Sequence, residues 1–188
     1  LRAAIATHRP EAVMHFAASI QVAESVAEPA KYYENNVAGT IRLLETMREC
    51  GINTIVFSSS AAVYAPPKTA LVAEDHPLGP ANPYGQTKRM VETILADFGG
   101  AHGLRWTALR YFNAASADPA GEIGANHDPV TSLIPLVIKA GLGTGPKLNV
   151  YGTDYDSADG TAIRDFIHVS DLASAHVAAL DYVRNGGE

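Results

Sequence analysis

The sequence predicts an α/β fold, a parallel sheet flanked by helices. Short apolar runs, rich in β-branched residues in the central case, alternate with stretches of helical periodicity, and the connections between them are short. That alternation favours right-handed crossovers and parallel strands. The first and second runs also end in small or hydroxyl residues and the third ends in Asn113. Ligands of parallel sheets bind outside the carboxyl ends of the strands, where Ser60 and Asn113 are expected.

In order, the run from Glu11 to Ala18 reads as a buried strand whose small end, Ala17-Ala18-Ser19, leaves room for a ligand beside the backbone. His15 within it reads as a core histidine. Pro29 to Cys50 reads as one long helix: Tyr33, Val37, Ile41, Leu44 and Met47 recur at helical spacing, Pro29 suits a first turn and Gly51 a stop. Asn35 and Asn36 are poor helix formers in that stretch and need either solvent or a polar site. Thr54 to Ser60 is the second strand, and Ala65 to Pro83 a proline-rich loop. Tyr84 to Phe98 continues as an amphipathic helix ended by Gly99, Gly100 and Gly103, and Leu104 to Phe112 is the third strand.

Beyond Asn113 periodicity fades. Ala114 to Thr131 reads as a long ordered loop, Ser132 to Ala140 as a short helix, and Lys147 to Tyr151 as a brief strand. Gly152 to Thr161 is a polar loop, Ile163 to Val169 a strand, and Ser170 the cap of a last helix to about Val183. Two segments follow: residues 1–113 carry the sheet, and 114–188 mix elements of a smaller lobe with the last sheet strand and helix.

Bulk composition narrows the function classes. At 188 residues, with 47% hydrophobic and 18% charged, the chain can bury a core and is not of disordered type. A net charge of −6 without a Lys/Arg block argues against a nucleic-acid surface. No apolar run is long enough to span a bilayer, so no membrane partner is expected. Cys50, the only cysteine, reads as a small apolar residue at a helix end and favours a reducing cytoplasm. No metal-ligand pattern stands out.

The chemistry concentrates between Thr54 and Lys88. Thr54-Ile55-Val56-Phe57 runs into Ser58-Ser59-Ser60, and Pro83-Tyr84-Gly85-Gln86-Thr87-Lys88 opens a helix. Tyr84 and Lys88, four apart, share a helix face. A phenol with a reference pKa of about 10 is a poor base at neutral pH, and a neighbouring ammonium should lower it. Ser60 can relay a proton between a substrate hydroxyl and Tyr84. A surface Tyr–Lys pair on an amphipathic helix is the bland alternative, and the serine-rich strand end upstream counts against it.

These motifs resemble the extended short-chain dehydrogenase/reductase superfamily and, within it, the nucleotide-sugar 4-epimerases that act on UDP-glucose and UDP-galactose. Supporting segments are Phe16-Ala17-Ala18, Tyr32-Tyr33-Glu34-Asn35-Asn36-Val37-Ala38-Gly39-Thr40, Leu109-Arg110-Tyr111-Phe112-Asn113, Tyr151-Gly152-Thr153-Asp154-Tyr155 and the run from Asp159 to Val169. The resemblance implies a Rossmann-like sheet with part of a C-terminal substrate-binding lobe, and a homodimer paired through the helices Pro29–Cys50 and Tyr84–Phe98. It implies NAD as cofactor, Tyr84 as catalytic base, Lys88 as its partner and Ser60 as relay. Phe16, Ala17, Ala18, Ser19, Ile20, Asn35, Tyr111 and Phe112 match positions at the NAD, which Ser60, Tyr84 and Lys88 also approach. Asn113, Ser132, Leu133, Asn149, Val150, Tyr151 and Arg164 match positions at the UDP-sugar, Arg164 on the diphosphate, where a planar guanidinium suits phosphate oxygens. An ion pair between Arg164 and Asp165 or another acid is the alternative.

Departures from the family pattern are specific. Ile20 stands where members carry lysine, Ser132 where they carry Asn or His, and Ala65 where glycine commonly follows Val-Tyr. Ser60-Ala61 stands where dehydrating relatives place Asp-Glu, which favours epimerisation over dehydration; a 4-epimerase of another UDP-sugar, an N-acetylated hexose or a pentose, is the nearer rival. The Gly-rich turn that lets a helix N-terminus cradle a pyrophosphate is absent from the sequence. The chain therefore reads as an internal fragment, expected to bind NAD poorly and turn over little by itself.

Overall fold

The computed structural model describes residues 1–67, 69, 71–126 and 130–187. Lys68 and Ala70 of the first predicted loop, and residues 127–129 of the second, lie outside the described residues. The chain divides into two compact units, Leu1–Tyr111 with Ser174–Glu188, and Phe112–Ala173.

The first unit opens with helix α1 (Arg2–His8) and strand β1 (Val13–His15), then α2 (Val22–Ala27) and α3 (Pro29–Tyr32). A π-helical turn over Tyr33–Ala38 leads into α4 (Gly39–Glu49), and β2 (Thr54–Ser58) follows. A 3₁₀ turn at Ala61–Val63, the long helix α5 (Pro83–His102) and strand β3 (Arg105–Leu109) come next. The three strands are parallel in the order β1-β2-β3, with Met14 opposite Val56 and Val56 opposite Thr107. Every residue of β2 is buried, which is why its sequence is a continuous rather than alternating apolar run. Leu44 and Met47 from α4 and Val91 and Leu95 from α5 pack with Ile55, Phe57, Ile52 and Leu104 into one core. Each fully buried aliphatic side chain there contributes about 1.5–3 kcal/mol.

The second unit contains β4 (Asn113–Ala115), α6 (Leu133–Gly141) and β5 (Phe166–His168). β4 pairs with β5 in parallel, Asn113 opposite Phe166. The last helix, α7 (Val169–Arg184), begins in this unit and ends in the first.

Several boundaries differ from expectation, each for a physical reason. The predicted helix Pro29–Cys50 is interrupted by the π-helical turn, because Asn36 is drawn into a buried polar contact described below. Gly99 and Gly100 lie inside α5, and Gly103, at φ 69°, ends it. A Cβ on Gly99 would stand 3.2 Å from the Leu104 carbonyl oxygen and 3.3 Å from Trp106 Nε1, so glycine there admits the returning strand. The third predicted strand splits at Arg110–Phe112 into β3 and β4, which join different sheets. Residues 147–151 form no strand; no ladder partner flanks them among the described residues, and Val150 and Tyr151 are exposed. Ser170 lies inside α7 rather than capping it; its N–H donates to His168 Nδ1 at 3.1 Å. The predicted strands Glu11–Ala18, Thr54–Ser60 and Ile163–Val169 shorten to β1, β2 and β5. Cys50 follows α4 and is exposed, so it fills no core position.

Among the described residues no helix is long and apolar enough to cross a membrane. No group of three or more His, Cys, Asp or Glu side chains could hold a metal there either.

Candidate active site

β2 delivers three hydroxyls to the carboxyl end of the sheet and sends each a different way. The chain kinks there, Ser59 N–H donating to the Phe57 carbonyl at 3.0 Å. Ser58 Oγ meets the Tyr111 hydroxyl at 2.5 Å. Ser59 Oγ donates to Glu92 Oε1 at 2.5 Å. Ser60, in extended backbone, accepts from Ala62 N–H at 3.1 Å and so starts the 3₁₀ turn. Its hydroxyl also acts on the Tyr84 phenol, favouring the ionised form.

α5 opens where the sequence places it. Asn82 caps it, accepting from Gly85 N–H at 2.9 Å, and Pro83 occupies the first turn, where its missing donor costs nothing. Tyr84, Lys88 and Glu92 recur every four residues and share a face. Lys88 is 3% exposed; its ammonium donates to the Ser58 carbonyl at 2.8 Å and lies 4.8 Å from the centre of the Phe57 ring. Burial pushes its pKa down to about 8, with the Glu92 carboxylate pulling the other way.

The expectation that Lys88 would lower the Tyr84 pKa does not describe this arrangement. The ammonium hydrogen-bonds a backbone carbonyl, 5.9 Å from the centre of the phenol ring. Burial raises the phenol above its ordinary range, Tyr111 adds to the rise, and Ser60 offsets part of it. Desolvation outweighs the nearby hydroxyl.

The segment after β1 borders the same strand ends. Phe16 and Ile20 are exposed, and the Phe16 ring stacks on His176 at 4.7 Å between centres. Buried Asn36 holds Ser19 from both sides, accepting from its N–H at 2.8 Å and donating to its carbonyl at 3.0 Å. The same amide donates to Thr87 Oγ1 at 3.0 Å, and Thr87 in turn donates to the Tyr84 carbonyl at 2.7 Å. The π-helical turn that carries Asn36 is thus the price of a side chain tying the Ser19 segment to α5. Asn35 stays exposed and donates to Ser19 Oγ at 3.3 Å.

His15 has a partner rather than a ligand. Thr40 Oγ1 donates to the Asn36 carbonyl at 2.6 Å, so in the 2.9 Å contact His15 Nε2–H is the donor to Thr40. Burial first, and the Lys88 charge second, lower its pKa to about 4. The unfolded chain takes up a proton near pH 6.5 that the folded chain refuses until pH 4. Folding stability is therefore expected to fall as pH drops from 6.5 to 4, by up to about 3 kcal/mol from this residue. Urea melts across that range should show a shallower fall in His15→Gln; identical pH slopes would refute the assignment.

In the second unit, Asn113 lies on β4 and its amide donates to the Asp165 carbonyl at 2.8 Å. Arg164 is exposed and donates to its neighbour's carbonyl, that of Ile163, at 2.8 Å. Ser132 precedes α6 and Leu133 begins it, both exposed; Phe112, Asn149, Val150 and Tyr151 are also exposed.

The sequence by itself assigns no role to Ser59, Glu92, Arg110 or Gly85. Glu92 carried a usable signal, since it repeats the four-residue spacing of Tyr84 and Lys88. Arg110, 46 residues beyond Tyr64 across loop, helix and strand, has no local spacing that ties it to Glu92.

A parallel sheet whose central strand ends in serines beside a helix bearing Tyr-x-x-x-Lys is the arrangement that the sequence's resemblance to short-chain dehydrogenases/reductases implies. The chain matches the model of the NAD dependent epimerase/dehydratase family over residues 1–188 and belongs to that family. It is 52% identical over 184 residues to a UDP-glucose 4-epimerase of Rhizobium meliloti, covering 98% of this chain and 56% of that protein. Among solved structures it is similar to UDP-glucose 4-epimerase from Brucella ovis in complex with NAD, at TM-score 0.96 and 49% identity, over 99% of this chain and 57% of that one. The enzyme from Bifidobacterium longum in complex with NAD⁺ and UDP aligns at TM-score 0.90 and 42% identity, over 96% and 55%. The chain thus spans about half the length of the relatives it matches.

Proposed function

We propose that the full-length protein is an NAD-dependent UDP-glucose 4-epimerase, interconverting UDP-glucose and UDP-galactose through a transient 4-keto sugar. The observation that carries this reading is the Ser60–Tyr84–Lys88 arrangement at the end of β2, with relatives of that name at about half identity beside it. The residues present suit a dinucleotide. Exposed Phe16 and Ile20 offer an apolar wall, and Asn35, Tyr84 and Lys88 offer polar atoms for ribose hydroxyls. Bound NAD⁺ would supply a reversible hydride acceptor for C4 of the sugar. Tyr84, in the phenolate form that burial disfavours and the Ser60 hydroxyl favours, takes the 4-hydroxyl proton, directly or through Ser60, as the C4–O bond becomes a carbonyl. It returns that proton when the sugar is reduced on its other face. Lys88 keeps a positive charge at this site through neutral pH.

Asn113, Ser132, Leu133, Asn149, Val150, Tyr151 and Arg164 would hold the UDP group, and Phe112 and Tyr111 the cofactor with Ala17, Ala18 and Ser19. A cytoplasmic homodimer, paired through the helices of Pro29–Glu49 and α5, completes the proposal. A −6 charge fits neither a nucleic-acid nor a membrane-surface partner.

Turnover assays on the full-length protein test it, with UDP-glucose, UDP-N-acetylglucosamine and UDP-xylose compared and the mass in solution read by light scattering. Interconversion of UDP-glucose and UDP-galactose, fastest of the three, by a two-chain particle is expected. Accumulated NADH or keto product, or a clear preference for another sugar, would overturn the reading.

A further inference from the structure

The ion pair behind the serine run, a buried carboxylate with a partly exposed guanidinium, has no part in the chemistry above. Glu92 is 6% exposed and takes Arg110 through three contacts, Nε to Oε1 at 3.0 Å, Nε to Oε2 at 3.2 Å and Nη2 to Oε2 at 2.7 Å. Arg110 also donates to the Tyr64 hydroxyl at 3.2 Å and lies over that ring. Burying the Glu92 carboxylate carries a desolvation cost that its ion pair offsets only in part, so its location asks for another reason. That location is specific. Among the described residues Glu92 also accepts a hydrogen bond from Ser59, the residue between the carbonyl that holds Lys88 and the hydroxyl that faces Tyr84.

We propose that Glu92, with Arg110 as counter-ion, is a positioning residue for the reaction, fixing through Ser59 where the strand end presents Ser58 to Lys88 and Ser60 to Tyr84. The inference rests on the epimerase reading for its catalytic consequence, but its structural half stands on these contacts alone. Lys88 and Glu92 are one helical turn apart, so the same helix face grips two successive residues of the serine run. A charge-assisted hydroxyl–carboxylate bond is the short, directional contact that can hold a kinked strand end in one orientation.

Tyr84 reports the orientation. It is faced by Ser60 after β2, Tyr111 after β3, Tyr32 from α3 and Lys88 from its own helix, with His15 of β1 and Glu92 acting on Lys88. Freeing Ser59 loosens Ser60, the one hydroxyl in that set that favours the phenolate.

The test uses the full-length protein with ¹³C-labelled tyrosine, Tyr84→Phe identifying the resonance. In Ser59→Ala the Tyr84 titration should move up by roughly half a pH unit or more. In the same variant kcat should fall roughly tenfold with KM little changed. Glu92→Asp, one carbon shorter but still charged against Arg110, should shift the titration the same way and serves if the first variant folds poorly. Ser25→Ala removes another buried serine bond, to the Val22 carbonyl at 2.6 Å, and should leave titration and kcat as in the parent. An unmoved Tyr84 titration in Ser59→Ala and Glu92→Asp, or an equal shift in Ser25→Ala, overturns the positioning role. A parent without epimerase turnover sinks the proposed function instead, and the titration still decides this point.

Discussion

Tyr84→Phe in the full-length protein is expected to lower kcat for UDP-sugar interconversion by about 10²–10⁴-fold while UDP binding is retained. The substitution removes one oxygen and leaves the ring. The Lys88 ammonium keeps its partner, because it donates to the Ser58 carbonyl and not to the phenol. Ser60 keeps its contact with Ala62 N–H, so the 3₁₀ turn stays capped. The fold should therefore survive, with a melting temperature close to the parent's, and the loss should appear in turnover alone. Steady-state kinetics with calorimetric UDP titration separates the two. Parent-like turnover in Tyr84→Phe would remove the phenol from the mechanism and with it the proposed function.

How much of this was legible beforehand differs from residue to residue. β2 is legible because a strand buried on both faces favours a continuous apolar run, here Ile55-Val56-Phe57, and the serines mark its end. Tyr84 and Lys88 were visible as a helix-face pair, since spacing is a local property. What spacing could not reveal was whom Lys88 bonds: its partner is a backbone carbonyl 30 residues away, and backbone acceptors leave no trace in composition. The sign of the Tyr84 shift failed for the same reason, since burial is set by neighbours from other elements. Asn36 is a poor helix former, and the anomaly is informative, since its amide bonds Ser19 and Thr87. The brief strand expected at 147–151 failed because apolar residues make a strand only where a neighbour offers hydrogen bonds.

Gly85→Ala should be the most damaging single-methyl change near the site, although alanine favours helices. A Cβ there would stand 2.3 Å from the Ala62 carbonyl oxygen, 3.0 Å from its carbon and 3.2 Å from Pro80 Cβ. The obstacle is backbone, so no side chain can swing aside. Either the first turn of α5 moves, taking Tyr84 with it, or the 3₁₀ turn moves, taking Ser60. Overpacking of this kind costs about 1–3 kcal/mol, and here both ways of relieving it separate the hydroxyl from the phenol. Gly100, in the same helix with nothing within 4 Å of its would-be Cβ, provides the contrast. Gly100→Ala should stabilise by roughly 0.5–1 kcal/mol and leave kcat alone. Urea melts and turnover of the two variants, side by side in the full-length protein, give opposite signs if the approach of Gly85 to Ala62 sets the site's geometry. A Gly85→Ala protein as stable and active as its parent would mean that the turn after Ser60 yields freely, and the close packing of helix on turn would then place nothing.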